Sequence, residues 1–307
     1  MTERTVLSGT AALQVYERGR ASDDRPTILF THGWPDDHTV WSLVADRLED
    51  RYHLVSFDVR GVGGSTAAVV HRPFTLDKLA ADIDAVVATV SPDRRVHLVG
   101  HDWGAVQGWE VVQTPAFAER IASFTSVSGP CLDHTGVMLR NRARRPSPRN
   151  LRPVFAQGMR SAYTVLLSAP LAGTLMWRLG FGQVFRRWLH WSEGVPLDGG
   201  YPGPDLAGVA IAAVPLYRQN IWSRLRRPDA RPVGVPVQLI VATKDRYVSP
   251  RVFEDLPTWV ADLTRTEVPA GHWSPRTHPD DLAAHIDAFV GSVESRTGTP
   301  IVQETSA

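Results

Sequence analysis

The stretch RVHLVGHDWG (residues 95–104) predicts the fold of this chain. An apolar run typical of a strand leads into Gly-x-Asp-x-Gly, and residues 105–112 have the composition of a helix. A strand, a sharp turn between two glycines and a helix form a nucleophile elbow, which exposes the middle side chain at the end of the strand. The stretch therefore predicts that Asp102 is a nucleophile held at such a turn.

An aspartate at this turn predicts a particular class of reaction. A serine that displaced a leaving group from a saturated carbon would become a stable ether, whereas a carboxylate becomes an ester that water can cleave at its carbonyl. Asp102 therefore indicates hydrolysis at an alkyl carbon, as in an epoxide or an alkyl halide. The alternative is a buried structural carboxylate or a site that has lost its activity.

Two partners of such a nucleophile follow in the expected chain order of nucleophile, acid and histidine. Residues 237–242 (VQLIVA) are typical of a buried strand, and Asp245 comes directly after them. Residues 264–268 predict another strand, followed by a short loop that carries His272. Sites in open α/β sheets collect at the carboxyl ends of strands. We therefore expect Asp245 to orient His272 as a general base, and these partners favour catalysis over a structural carboxylate.

Two backbone N–H groups are expected to stabilise an oxyanion. Residues 27–30 predict a strand that ends in HGWP (residues 32–35), and this loop is placed to present the N–H of Trp34. The second donor is the N–H of Trp103, directly after the nucleophile.

The pattern along the chain predicts a core with an inserted segment. Strands and helices alternate in residues 1–129, which indicates an α/β fold with a mostly parallel central sheet and helices on both faces. Residues 130–234 have apolar side chains at helical spacing and no clear strand, which predicts a helical lid. The core is expected to resume over residues 235–295, with a helix over about 279–293, and residues 296–307 form a polar tail.

These motifs resemble the α/β-hydrolase superfamily and, within it, the epoxide hydrolases that use an aspartate nucleophile. The matching segments are HGWP (32–35), DVRGVGGS (58–65), the elbow, Asp245 and GHW (271–273). The resemblance covers roughly residues 5 to 290, with a departure at Val62, where the family usually has an aromatic residue. It extends to domains fused to short-chain reductases and to hydrolases of aromatic polyketide pathways. It implies the α/β-hydrolase fold, an inserted helical lid and a cis peptide bond at Pro35.

Two lid tyrosines follow from the same resemblance. YTVLLSAP (163–170) is similar to the segment with the first tyrosine, and LYRQN (216–220) is similar to the segment with the second. The resemblance implies that Tyr163 and Tyr217 protonate the epoxide oxygen as the ring opens. The expected reaction is opening of an epoxide to a diol through an ester of Asp102, with no organic cofactor and no metal.

Two other functions stay open on the sequence. The first is a haloalkane dehalogenase, in which the halide is held by indole N–H groups; the candidates are Trp34, Trp103, Trp188 and Trp191. The second is a ligand-binding protein without catalysis. The tyrosines favour the epoxide over the halide, and the complete set of nucleophile, acid and histidine argues against the non-catalytic protein.

The aromatic residues of the lid suggest the kind of substrate. Tryptophan and tyrosine offer a large apolar area with one polar group each. We therefore expect a bulky, apolar or aromatic small-molecule epoxide, contacted by Trp188, Trp191 and Tyr247.

Composition limits the partners. The net charge of +1 gives no reason to expect nucleic acid or an anionic membrane as a partner. The single Cys131 cannot form an internal disulfide, which fits a cytoplasmic location. The arginine-rich run 140–152 is interpreted as an exposed hinge, and the formation of a homodimer is left open.

Overall fold

The computed structural model describes residues 1–19, 25–67, 73–169, 171–196 and 200–297. Nine strands within these residues form one sheet. In chain order they are β1 Thr2–Ser8, β2 Ala11–Arg18, β3 Thr27–Thr31, β4 His53–Phe57, β5 Thr66–Ala67, β6 Val96–His101, β7 Ile121–Val127, β8 Val237–Ala242 and β9 Leu263–Val268.

The sheet is mostly parallel, as the alternating pattern predicts. Its order is β1-β2-β4-β3-β6-β7-β8-β9, with β5 beside β2. The strands from β4 to β9 in this order pair in parallel, whereas β2 runs antiparallel to β1, β4 and β5. Every residue of β3, β6 and β8 is buried, as expected for parallel strands covered on both faces. The carboxyl ends of β3, β6, β8 and β9 therefore meet at one edge of the sheet.

The helices outside the segment between β7 and β8 cover the sheet in two groups. Among the described residues these helices are α1 Ser42–Ala45, α2 Leu76–Val90, α3 Trp103–Gln113, α4 Pro115–Ala118, α12 Ser274–Thr277 and α13 Pro279–Thr297. Helices α2, α3 and α4 contact one another, and so do α1, α12 and α13; α3 and α13 both contact β7. Short 3-10 turns lie at His38–Trp41, Pro250–Phe253 and Leu256–Thr258.

The segment between β7 and β8, which we call the helical insertion (residues 130–234), contains helices and no strand among its described residues. Two π-helical segments, Trp177–Phe181 and Leu189–Glu193, flank the helix Gly182–Trp188. Its helices are α5 Leu132–Arg144, α6 Pro148–Arg160, α7 Ala162–Ser168, α8 Ala172–Met176, α9 Gly182–Trp188, α10 Leu206–Ala213 and α11 Pro215–Arg226.

The C-terminal helix is longer than the sequence pattern predicts. It runs to Thr297, about four residues beyond the expected end, so the predicted tail begins inside the helix. Two contacts of its last turn explain the difference: Ser295 Oγ donates to the carbonyl of Gly291 (2.7 Å), and Arg296 pairs with Asp262 (2.7 Å). The rest of the tail, residues 298–307, lies outside the described residues.

Candidate active site

The strand–turn–helix around Asp102 has the predicted form. Asp102 lies between β6 and α3 with φ 52° and ψ −121°, a backbone conformation that side-chain-bearing residues rarely adopt. The flanking glycines permit this turn because there is no room for a side chain. A Cβ at Gly104 would lie 2.3 Å from the carbonyl oxygen of Thr31, and one at Gly100 would lie 2.6 Å from the nitrogen of Ala105.

Asp245 and His272 meet Asp102 at the edge of the sheet. His272 Nδ1 is 2.8 Å from Asp245 Oδ2, and His272 Nε2 is 3.7 Å from Asp102 Oδ1. The N–H groups of Tyr247 and Val248 donate to the other oxygen of Asp245, at 2.7 and 2.9 Å. These two bonds fix the orientation of the Asp245 carboxylate. Its Oδ2 accepts a hydrogen bond from the Nδ1–H of His272, so that Nε2 of the same ring faces Asp102.

Burial and neighbouring charges have opposite effects on the pKa values of His272, Asp102 and Asp245. Burial alone lowers the pKa of His272, but Asp245, Asp102 and Glu193 outweigh it and raise the pKa to about 9. Burial raises the pKa of Asp102, and the positive His272 opposes this. The pKa of Asp245 falls below its usual value because contact with His272 exceeds the effect of burial. At neutral pH the protonated form of His272 is therefore favoured.

Two backbone N–H groups converge on the Asp102 carboxylate. The N–H of Trp34 donates to Asp102 Oδ2 at 2.9 Å, and the N–H of Trp103 lies near enough to oppose the rise in the pKa of this carboxylate. The Trp34–Pro35 peptide is cis, as the resemblance implies. Oδ2 thus occupies the position that an oxyanion would take, whereas Oδ1 faces His272.

Tyr163 on α7 and Tyr217 on α11 are brought to the same place. Their ring centres are 6.0 Å apart and the two rings are packed edge-on. Tyr217 packs edge-on against Trp34 and Trp103, with ring centres 5.3 and 5.1 Å away. Burial, aided by the negative Asp102, raises the pKa of both phenols. Both hydroxyls therefore keep their protons at neutral pH.

An apolar cavity of about 430 Å³ connects these groups. Trp188 and Tyr247, two of the three residues expected to contact a substrate, line its wall. The third expectation is corrected: Trp191 is 89% exposed and lies outside the cavity lining. Trp191 is in the π-helical segment Leu189–Glu193, where Leu189 is fully buried and the residue two positions on points outward. The lining residues are Trp34, Asp102, Tyr163, Leu166, Leu167, Met176, Phe181, Val184, Phe185, Trp188, Tyr217, Tyr247, His272 and Trp273.

The indole N–H of Trp34 has a partner in the protein, since Nε1 donates to the carbonyl of Ala210 at 2.9 Å. This indole is therefore not directed at a leaving group beside Asp102. The ring of Trp103 packs edge-on against Tyr217, with ring centres 5.1 Å apart.

Glu193 contacts the catalytic loop and was not singled out from the sequence. Its Oε2 accepts the backbone N–H of His272 at 2.8 Å, while its Oε1 is buried without a hydrogen-bond partner among the described residues. Burial raises the pKa of Glu193. Gly271 permits the contact, since a Cβ there would lie 2.3 Å from Oε2. A single acidic residue near the end of a helix carries no sequence signal for this role.

Asp36 forms a second link between the helical insertion and the active-site loops. It lies directly after the oxyanion loop and accepts hydrogen bonds from Tyr201 Oη and from Trp273 Nε1, the latter at 3.2 Å. Burial raises the pKa of Asp36 to about 7. Glu193 thus links the insertion to the backbone of His272, and Tyr201 links it, through Asp36, to the side chain of Trp273.

His101, directly before the nucleophile, makes a structural contact below the His272 loop. It is fully buried, and its Nε2 donates to the carbonyl of His272 at 2.9 Å. Burial lowers the pKa of His101 to about 3, so the ring is neutral. Among the described residues no group of three or more His, Cys, Asp or Glu side chains is placed to hold a metal ion.

Comparison with known proteins identifies the family of the chain. The sequence model of a family described as alpha/beta hydrolase fold matches residues 26–279. The "Probable oxidoreductase EphD" of Mycobacterium tuberculosis is 36% identical over 289 residues, which are 92% of this chain and 48% of that protein. The chain therefore spans about half the length of this relative.

Two further proteins carry the name epoxide hydrolase. Epoxide hydrolase A of Mycobacterium tuberculosis is 33% identical over 137 residues, 44% of this chain and 41% of that protein. The crystal structure of an epoxide hydrolase from Bacillus megaterium, in complex with an inhibitor, superposes with a TM-score of 0.75 at 19% identity. This superposition covers 94% of this chain and all of the other, and at that identity it bears on the fold alone.

Proposed function

Since the chain belongs to the alpha/beta hydrolase fold family, we propose that it is an epoxide hydrolase that forms a diol through a covalent ester of Asp102. The observation that carries the proposal is the pair of phenols, Tyr163 and Tyr217, in the cavity that also holds Asp102 and His272. A strained ring that opens leaves an alkoxide on the product, and this oxygen needs an acid. Relatives named epoxide hydrolase support the same reaction. EphD is a longer protein, and the oxidoreductase activity in its name is not carried over.

The first step is alkylation of Asp102. Oδ1, which does not receive the N–H of Trp34, attacks one epoxide carbon, and the bond from that carbon to the ring oxygen breaks. Tyr163 or Tyr217 gives its proton to the departing oxygen, which stays attached to the product as a hydroxyl. His272, protonated in the free protein, returns a proton to the resulting phenolate. The products of this step are a hydroxyalkyl ester and a neutral His272.

The second step is hydrolysis of the ester. Once Asp102 is esterified its negative charge is gone, so the pKa of His272 falls and the ring can act as a base. His272 removes a proton from water, and the hydroxide attacks the ester carbonyl. Oδ2 carries the negative charge of the intermediate and is held by the N–H groups of Trp34 and Trp103. The bond between the carbonyl carbon of Asp102 and the ester oxygen breaks, His272 protonates that oxygen, and the diol leaves. The carboxylic acid that remains on Asp102 then gives its proton to His272, which restores the starting state.

The cavity suggests an apolar substrate of moderate to large size. Its volume of about 430 Å³ lies within the range of small-molecule sites, and aromatic side chains such as Trp188 and Tyr247 form much of the wall. We propose a bulky, apolar or aromatic epoxide. A halide as leaving group is less well supported, because the indole of Trp34 already donates to the carbonyl of Ala210.

The covalent step is tested with styrene oxide as the substrate. The His272→Ala protein should open the ring and stall, so that the peptide with Asp102 gains the mass of one substrate molecule. The matched Asp102→Asn protein, nearly isosteric but a poor nucleophile, should form neither adduct nor diol while keeping its circular dichroism spectrum.

Two results would contradict this function in different ways. Multiple turnover by Asp102→Asn, with deamidation excluded by mass, would rule out the ester. Release of bromide from 1-bromohexane without diol formation from styrene oxide would instead indicate a dehalogenase.

A further inference from the structure

Charge is divided unevenly between the helical insertion and the rest of the chain. Residues 130–234 contain fifteen arginines, no lysine and five acidic residues, a formal charge of +10, whereas the other residues sum to −9. The net charge of +1 conceals this asymmetry. A strong charge difference between parts of a chain indicates a charged partner on one side. Because its guanidinium offers two parallel donors, arginine fits phosphate oxygens well.

The exposed apolar side chains gather on the same segment. Of the thirteen large hydrophobic residues exposed among the described residues, eleven lie in the insertion. On α6 they recur every four residues at Leu151, Phe155 and Met159. Residues four apart lie on one face of an α-helix, so these three side chains form a stripe. A second group consists of Leu171 before α8, Leu175 within α8 and Leu179 in the π-helical segment after it. These two groups, with Val165, Leu166, Val184 and Trp191, are named the outer face.

The outer face borders a basic cluster. Arg144, Arg145 and Arg149, at the end of α5 and the start of α6, are exposed and line an open depression together with Arg142. Arg142 is paired with Glu254 at 2.9 Å. Within the described part of the chain, no ion pair engages the other three. At a bilayer surface, apolar side chains can enter the boundary between headgroups and acyl chains, while neighbouring arginines bind the anionic headgroups.

We propose that the outer face docks on a lipid bilayer with anionic headgroups. The leucines and Phe155 would enter the headgroup boundary, and the arginines would bind lipid phosphates. A second copy of this chain is a poorer occupant, because two surfaces with a formal charge of +10 repel each other. The position is peripheral: no single described helix is long and apolar enough to cross a membrane. Residues 162–168 and 172–193 reach that length and composition only as a pair bent by 95°.

The cavity opens toward this face. Leu166 and Val184 line the cavity and are also 48% and 57% exposed, so its wall continues into the outer face. An apolar epoxide could then pass from the bilayer to Asp102 without crossing water. This consequence rests on the proposed function, whereas the docking itself does not.

Docking is tested by sedimentation of the purified chain with vesicles. Vesicles of equal parts phosphatidylglycerol and phosphatidylcholine should carry the protein down, and added salt should weaken the binding. Pure phosphatidylcholine should bind far less. Vesicle binding needs no turnover, so its failure and a failure of epoxide hydrolysis are separate results.

Two pairs of variants resolve the two parts of the surface. Arg145→Gln with Arg149→Gln should weaken binding roughly 25-fold, since each basic residue at an anionic surface contributes a factor of about five. The control, Arg95→Gln with Arg296→Gln, has the same net charge but lies outside the insertion. Leu175→Ser with Leu179→Ser should weaken binding at least about tenfold. Its control is Leu7→Ser. Leu7 is on β1, outside the insertion, and its side chain is 77% exposed.

Three outcomes would overturn the proposal. The first is an absence of binding to the anionic vesicles. The second is a loss of binding with the control variants equal to that with the outer-face variants. The third is a dimer in solution that the Leu175→Ser, Leu179→Ser protein no longer forms, because the outer face would then join two copies of the chain.

Discussion

The two oxygens of Asp102 have different neighbours, and this difference assigns their roles. Oδ2 accepts the N–H of Trp34 at 2.9 Å, whereas Oδ1 lies 3.7 Å from His272 Nε2. An oxygen that already receives backbone hydrogen bonds is a weaker nucleophile and a better site for the charge of a tetrahedral intermediate. In the proposed reaction Oδ1 therefore attacks, and Oδ2 becomes the oxyanion.

The two phenols are predicted to act in ring opening and not in ester hydrolysis. Tyr163→Phe or Tyr217→Phe should each slow alkylation by about two orders of magnitude, because a hydrogen bond to developing charge in a dry site is worth roughly 2.7–4 kcal/mol. The double variant should be slower still. The measurement is the single-turnover rate of adduct formation in the His272→Ala background.

Tyr247→Phe is the matched control for the phenols. Tyr247 also lines the cavity, but its place in the mechanism is only to contact the substrate. If Tyr247→Phe slows alkylation and the other two variants do not, the acid has been assigned to the wrong tyrosines.

The pKa of His272 should depend on the charge of Asp102. The carboxylate favours the imidazolium and helps to raise this pKa to about 9, so Asp102→Asn should lower it. The same fall is what the ester would produce during turnover. The titration can be followed by NMR of the labelled histidine ring, with the exposed Asp229→Asn as a control. An unchanged pKa of His272 in Asp102→Asn would show that the charge of Asp102 does not affect the protonation of His272.

At the scale of elements, the helical insertion is fastened to the active-site loops by single side chains. Glu193, at the end of the π-helical segment Leu189–Glu193, bonds the backbone of His272, and Tyr201 bonds Asp36. Helix α6 adds Gln157, which contacts the loop after Asp245 through Tyr247 and Ser249. The insertion thus supplies both the phenols and the contacts that hold the base in place.

Glu193 is predicted to be a positioning residue for His272. Glu193→Ala removes the acceptor of the His272 N–H and should slow ester hydrolysis about tenfold or more, with little change in alkylation. Glu193→Gln keeps an acceptor and should restore most of that rate. Because the negative Glu193 raises the pKa of His272, both variants should shift the pH profile of hydrolysis to lower pH. A role in folding alone would not move this profile, and wild-type hydrolysis by Glu193→Ala would exclude the role altogether.

At the scale of the whole molecule, the distribution of charge differs from the net charge. The insertion carries +10 and the rest −9, so the protein has a cationic side although its net charge is +1. Exposed charges act over about one Debye length, roughly 8 Å at physiological salt. A flat charged surface therefore interacts with the charges on the side of the protein that faces it and not with the net charge.

Retention on a sulfonate cation exchanger at neutral pH follows from this distribution. The chain should bind despite its small net charge, and Arg145→Gln with Arg149→Gln should elute at lower salt. Arg95→Gln with Arg296→Gln removes the same charge from outside the insertion and should elute close to the wild type. Equal elution of the two double variants would mean that the resin senses only net charge.

The elbow, the order of the catalytic residues and the parallel core could be predicted from the sequence because each depends on neighbours along the chain. Gly100 and Gly104 mark the turn, and the apolar runs before Asp102, Asp245 and His272 mark strands that end at one edge. The charge of residues 130–234 was also available in the sequence, but the net charge conceals it.

Only the tertiary structure decided which side chains of the insertion face the site. Trp188 and Trp191 are three residues apart in similar surroundings, yet one lines the cavity and the other is exposed. Glu193 reaches His272, 79 residues further along the chain, and Tyr201 reaches Asp36, 165 residues earlier. Such contacts depend on how short helices cross one another above the sheet, and this crossing is set by packing between distant segments, which leaves no periodic pattern in the local sequence.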